Sequence, residues 1–236
     1  MENFLIIFKD HLFMLCMILI FSYLIGGINF SILSTKRLYA KEDIRTMGSG
    51  NAGFTNVLRS VGKVPAIVTF VGDFAKGVLA VGVSEIIAKN NVFWGENLEE
   101  NKEILMYLAF LSGFACVIGH IYPCFFGFRG GKGILTGWSI TLLMDKRIFF
   151  TVIFVFLVLL VIGKIVSFAS IFAAASYPIA TFAFYYKDFS VSGGNIYYVL
   201  ICTTIAFLTA LLVILKHKSN ILRLISGTEK RISLKN

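Results

Sequence analysis

The chain has 236 residues, of which 57% are hydrophobic and only 15% charged, where a soluble domain carries roughly 25% charged residues. With a mean hydropathy of +0.82, this excludes an ordinary soluble globule and makes lipid the principal solvent. The net charge of +9 does not point to nucleic acid, because the basic residues gather at the ends of apolar runs. There the positive-inside rule and anionic headgroups account for them.

Lipid offers the backbone no hydrogen bonds, so the spans must be helices; the alternation of a barrel strand is absent. Apolar runs predict spans at about 12–33, 64–88, 104–120, 133–144, 148–163, 168–186 and 196–215. The first is too long for a signal-peptide core and lacks a basic leader and cleavage site, so it reads as a retained span. The fourth and fifth are short, with Asp145, Lys146 and Arg147 between them. They are two thin or tilted helices, or one re-entrant hairpin. The expected fold is an all-α, polytopic membrane bundle of about seven helices in one domain, residues 1–236. Cys16, Cys116, Cys124 and Cys202 are far apart, lack metal spacing and read as packing residues.

Charge sets the expected sidedness. Lys36, Arg37, Lys41, Arg45, Arg59 and Lys63 follow the first span, and Lys216, Lys218, Arg223, Lys230, Arg231 and Lys235 crowd the tail; the segment KNNVFWGENLEENKE is acidic. The first loop and the tail are therefore expected in the cytoplasm and the N-terminus outside. Seven spans satisfy this, and so do five plus a hairpin. Either way 119–132 and 164–167 are cytoplasmic.

Three polar segments interrupt the oil. GSGNAGFTNVLR, Gly48 to Arg59, contains G-x-G-x-x-G, but no strand precedes it and the dinucleotide reading fails. What remains is anion chemistry: glycines that let backbone approach a ligand, hydrogen-bond groups on Ser49, Asn51, Thr55 and Asn56, and the planar donor fork of Arg59. GHIYPCFFGFRGGKGILTG, Gly119 to Gly137, offers a second such turn at Gly130, Gly131, Lys132 and Gly133, with His120, counted among the expected substrate-binding residues, at a span end. It is not a Walker A loop, since Phe126 replaces the first glycine and Gly133 the magnesium-binding hydroxyl. KHKSNILRLISGTEKR closes the last span with a short interfacial helix in which His217 and Asn220 lie one turn apart. Asp73 and Lys76 sit at i and i+3 inside the second span, where charge is costly. Ser167 and Ser170 begin the sixth.

In this order the motifs resemble the bacterial acyl-phosphate:glycerol-3-phosphate acyltransferases of the PlsY type. The series is Gly48 to Arg59, Asp73-x-x-Lys76-Gly77, Gly119-His-x-Tyr-Pro123 through Gly133, and His217-x-x-Asn220 through Glu229; the likeness runs from about Gly26 to Arg231. Phe54, Tyr122, Arg129, Leu135 and Lys216 depart from the usual alanine, phenylalanine, lysine, alanine and arginine. The resemblance implies a cell-membrane enzyme that moves a fatty acyl group from acyl phosphate to the 1-hydroxyl of sn-glycerol 3-phosphate, giving lysophosphatidic acid and phosphate. Its site faces the cytoplasm, no cofactor or metal is implied, and a monomer among membrane lipids is expected. It implies catalytic roles for Ser49, Arg59, Lys132, His217 and Asn220, a glycerol-phosphate loop at Gly130, Gly131 and Gly133, a contribution from Ser167 or Ser170, and a structural Glu229. Acyl phosphate is already activated, so no enzyme nucleophile is required, and neither a Gly-x-Ser-x-Gly elbow nor a His-x-x-x-x-Asp motif is present. The proton acceptor stays open among His217, His120 and the substrate's own phosphate. A transporter of phosphorylated metabolites is the rival reading; the absence of an inverted repeat and the clustering of polar segments on one face speak against it.

Overall fold

The computed structural model describes residues 12–39, 41–89 and 102–232, and within them the chain is helical. It forms two compact units, residues 2–143 and 144–236. The acidic segment lies mostly outside the described residues. Among the described residues six helical stretches, the first of them Leu12–Tyr39, are long and apolar enough to cross a bilayer. The fourth predicted span is not among them: Ile134–Met144 has 11 residues, about 16 Å of helix, against a hydrocarbon core of about 30 Å.

In the unit 2–143, α1 (Leu12–Gly27), α4 (Lys63–Lys89) and α5 (Lys102–Ile121) pack together. The close contact of α1 with α5 follows from small residues. A Cβ on Gly26 would overlap the Cys116 carbonyl, and one on Gly119 would overlap the Tyr23 carbonyl. Lipid gives no hydrophobic drive for helix association, so backbone proximity and van der Waals contact must supply it. Ser84 and Ser112 add a hydroxyl–hydroxyl bond of 3.1 Å between α4 and α5.

The first span is not one helix. It breaks at Ile28 and Asn29 and restarts as α2 (Phe30–Leu33), whose first turn is capped when Asn29 Oδ1 accepts from the Ile32 N–H. A π-helical stretch, Ser34–Tyr39, carries it to the basic loop. That loop folds onto the short α3 (Phe54–Ser60) over a small core of Ile32, Ile44, Ala52, Val57 and Ala66. Phe54 packs against this core and meets the Phe70 ring edge-on at 5.8 Å. The departure from alanine is thus absorbed by an aromatic partner. The half-length α6 (Ile134–Met144) lies on α4, where Gly77 leaves room for Ser139.

In the unit 144–236, α7 (Lys146–Gly163), α8 (Val166–Ser192) and α9 (Ile196–Lys216) form an up-and-down set, with α8 packed against the other two. Arg147 forks onto Asp188 at 2.9 and 2.6 Å, tying the start of α7 to the far end of α8. The short α10 (Lys218–Ile225) follows His217. Large side chains such as Phe150, Phe154, Val161 and Ile179 are exposed, as lipid-facing positions should be.

The glycine contacts make a direct test. Gly119→Val drives a branched side chain into the Tyr23 backbone and should cost several kcal/mol, as overpacking of a tight core does. Gly82→Ala, with nothing within 4 Å of the added carbon, should be neutral or slightly stabilising. Thermal unfolding of both variants in detergent checks the contrast.

Candidate active site

The first glycine segment is folded around Asn56. Its amide donates to the carbonyls of Ile44 (3.2 Å) and Met47 (2.9 Å), and its Oδ1 accepts from the Ser49 N–H (2.9 Å) and the Ser60 hydroxyl (3.4 Å). Both amide protons and the oxygen of this buried side chain are therefore committed inside the loop. Gly48, at φ +56, leaves no room for a Cβ beside Asn56 Oδ1 and the Ser60 hydroxyl. Around this knot the Ser49 hydroxyl and the Arg59 guanidinium are exposed and make no hydrogen bond among the described residues, while Asn51 and Thr55 are half-buried.

Arg45 braces the loop. It forks onto Asp43 (2.9 and 2.7 Å) and donates to the Phe126 carbonyl at 2.6 Å and that of Arg129 at 3.3 Å. The Arg45 hydrogen bonds hold the Asp43 carboxyl below its ordinary range against the opposing effect of burial. In the sequence Arg45 counts only as one more cytoplasmic charge; nothing marks it as a strut to residues 126–129.

The second glycine segment hangs from the end of α5. Gly130 N–H donates to the Ile121 carbonyl and Gly131 N–H to the His120 carbonyl, each at 3.2 Å, using acceptors that a helix C-terminus leaves unpaired. A Cβ on Gly131 would overlap both His120 Nε2 and the Ala52 carbonyl. The two glycine segments therefore meet at Gly131, with the His120 ring beside them. Lys132 is half-buried, and Gly133, at φ +86, turns the chain into α6.

Beneath them lies the buried pair from the second span. Lys76 Nζ is 2.9 Å from Asp73 Oδ1, 3.0 Å from the Ile28 carbonyl and 2.7 Å from His120 Nδ1. All three side chains are buried. An ammonium has only protons to give, so Nδ1 is the acceptor and the hydrogen-bond network assigns the ring proton of neutral His120 to Nε2.

In the unit 144–236 the predicted residues converge on Glu229. Its Oε1 accepts from the Ser167 hydroxyl and the Asn220 amide, each at 2.7 Å, and Oε2 accepts from Arg223 Nε at 2.6 Å. Burial would raise this carboxyl, but the Ser167, Asn220 and Arg223 bonds outweigh it and hold the group below its ordinary value. The Ile232 N–H donates to the Lys164 carbonyl at 2.7 Å, fastening the tail to the start of α8. Ser170 is buried one turn beyond Ser167 and makes no hydrogen bond among the described residues. His217, also buried, has Nδ1 2.8 Å from the Val213 carbonyl. A carbonyl only accepts, so Nδ1 carries a proton.

This is a helical integral membrane protein with paired glycine loops and basic groups at helix ends, a class suited to phosphorylated ligands. The profile of a family named glycerol-3-phosphate acyltransferase matches residues 16–227. A glycerol-3-phosphate acyltransferase of Prochlorococcus marinus (strain MIT 9515) is 36% identical over 220 residues, covering 93% of this chain and 98% of that protein. One from Clostridioides difficile (strain 630) is 36% identical over 228 residues, 95% of this chain and 98% of that protein. The crystal structure of PlsY, an integral membrane glycerol 3-phosphate acyltransferase, in its glycerol 3-phosphate form, superposes with a TM-score of 0.72 at 32% identity, covering 93% of this chain and 96% of that one. Its lysophosphatidic acid form gives 0.70 at the same identity. The chain belongs to the glycerol-3-phosphate acyltransferase family.

The Glu229 carboxylate gives a pH prediction. Its proton affinity is lower folded than unfolded, so it stabilises the tail above the ordinary glutamate range. That contribution should fade as pH falls through its lowered value. Glu229→Gln should abolish this acid-dependent part and loosen the tail at neutral pH. Tryptic cleavage near Arg223 and Arg231, followed against pH in the protein and the variant, reads both effects.

Proposed function

We propose that the chain transfers a fatty acyl group from acyl phosphate to the 1-hydroxyl of sn-glycerol 3-phosphate. The glycerol oxygen bonds to the acyl carbon, the acyl–phosphate C–O bond breaks, and lysophosphatidic acid and phosphate leave. The hydroxyl proton goes to a base or to the departing phosphate. No acyl-enzyme is formed, because the donor is already activated. Family membership supports the acyltransferase chemistry. The observation that carries the site assignment is the meeting of the two glycine segments at Gly131, beside Ser49, Arg59 and Lys132 in the chain motifs for anions.

Rate enhancement then rests on positioning and charge. Holding two reactants in line contributes several kcal/mol. Arg59, Lys132 and backbone N–H groups of the loops would neutralise phosphoryl charge as the bond breaks, with Ser49, Asn51 and Thr55 as neutral donors. Asn56 serves by shaping the first loop. Ser167 and Asn220 are oriented by Glu229, and Ser167 has spent its only proton there. Of the two described histidines, His217 is the one assigned as base, its ring held through Nδ1 by the Val213 carbonyl. Positive-inside charge supports a cytoplasmic site in a bacterial cytoplasmic membrane. The profile match runs through both units, which supports reading the chain as one catalytic domain.

Purified protein mixed with palmitoyl phosphate and glycerol 3-phosphate should release phosphate only when both are present. Arg59→Ala should lower kcat/KM by at least about a hundredfold, the scale of a lost charge-assisted contact at a reacting group. Gly131→Ala, which pushes a methyl onto His120 and Ala52, should chiefly raise the glycerol-phosphate KM. Folded protein that releases no phosphate from acyl phosphate would sink the donor assignment, and activity from acyl-CoA alone would replace it.

A further inference from the structure

The buried Asp73–Lys76 pair is not needed by the reaction as written, yet two charges sit inside a lipid-embedded bundle at a cost of several kcal/mol. Lys76 gives one proton to Ile28, lies against Asp73 and offers its third to His120. The His120 side chain is 5% exposed, and its Nε2 has no hydrogen-bond partner among the described residues. That atom lies beside Gly131, where only the missing side chain of a glycine lets the loop approach. Nε2 is not sealed off as a buried unpaired atom, so its N–H is available to an acceptor that enters from outside the protein. It is directed at the junction of two segments rich in anion-binding features, and the acceptor that suits it is a phosphoryl oxygen.

We infer that His120 is a substrate-binding hydrogen-bond donor, through Nε2–H, to a phosphoryl oxygen held at the junction of the two glycine segments, and that Lys76, backed by Asp73, is the positioning residue that fixes this tautomer. Lys76 cannot accept a hydrogen bond, so the alternative tautomer, with the proton on Nδ1 and none on Nε2, is excluded while the ammonium is in place. His120 is thereby removed as the base of the reaction: its one lone pair is already engaged by Lys76. This inference rests on the acyl-transfer reading for its ligand, and the geometry of the pair for its mechanism.

Three variants test it in purified full-length protein. Glutamine can place an amide N–H near the position of Nε2, whereas asparagine is too short. His120→Gln should therefore keep the KM of the phosphorylated substrate within a few fold, and His120→Asn should raise it roughly tenfold or more, the worth of one charge-assisted hydrogen bond. The double variant Asp73→Asn/Lys76→Met leaves no unpaired buried charge, so it should fold while losing control of the tautomer. Nitrogen NMR of isotope-labelled histidine, with the His120→Gln spectrum to identify the signal, should show a protonated Nε2 and bare Nδ1 in the wild type and a tautomer mixture in the double variant. Its KM should rise with little change in kcat. Equal KM values for His120→Gln and His120→Asn, or a wild-type His120 protonated on Nδ1, would overturn the inference. A wild-type protein without acyl transfer from acyl phosphate would instead overturn the donor assignment, and the NMR result would still decide the role of Lys76.

Discussion

A buried ammonium has three protons, no lone pair and a severe desolvation cost, and Lys76 is tied on three sides. It forms an ion pair with the carboxylate of Asp73 a turn away on the same helix, and it hydrogen-bonds to the Ile28 carbonyl and the imidazole of His120. Each is a different kind of tie. The contact with Asp73 balances charge. The contact with Ile28 satisfies a carbonyl at the interruption between α1 and α2, which lipid could not have solvated. The contact with His120 reaches the end of α5, from which the second glycine segment hangs. Removing Lys76 alone would strand a carboxylate, a carbonyl and a ring nitrogen together, which is why the pair belongs to the architecture as much as to the site.

That arrangement is possible only because the helices approach so closely. Gly26 and Gly119 bring the backbones of α1 and α5 into contact, and this sets the break in the first span beside α4 at the level of Lys76. Gly72 does the same for Phe30, and Gly77 for Ser139. A methyl at any of these positions would separate elements whose polar groups satisfy one another. Small residues thus serve as distance setters here. The dispersion gained at short range replaces the hydrophobic drive that lipid does not provide, and the buried polar groups become affordable through hydrogen bonds rather than water.

Much of this was legible in the residues, and the parts that were not share a cause. Six long apolar runs became helical stretches of spanning length, the first with a break in it, because the requirement for paired backbone in lipid leaves no other outcome. The run 133–144 was apolar enough but too short, and hydropathy registers chemistry rather than reach. The break at Ile28–Asn29 lay hidden inside a continuous apolar run, since a break in a span is set by the partner that satisfies its freed carbonyl, and Lys76 is far away in sequence. At the site, motif spacing singled out Ser49, Arg59, Gly130 to Gly133, His217 and Asn220 as chemistry-bearing. It could not distinguish residues that face a ligand from those that build the loop. Asn56 resembles Asn51 on paper, yet its amide is consumed by Ile44, Met47 and Ser49. Arg45 looks like a topological charge and acts as a strut. These distinctions depend on long-range pairings that a single sequence does not display.

The two described histidines carry the argument furthest. Both stand at the end of a membrane helix among basic residues, and neither composition nor spacing separates them. What separates them is the neighbour at Nδ1. His120 faces an ammonium there, which can only donate; His217 faces a carbonyl, which can only accept. Nδ1 is therefore an acceptor in the first ring and a donor in the second. Burial alone would leave either ring free to adopt either tautomer. The partner at Nδ1 removes that freedom, so what each ring can offer at Nε2 is set on the far side of the ring, within its own unit.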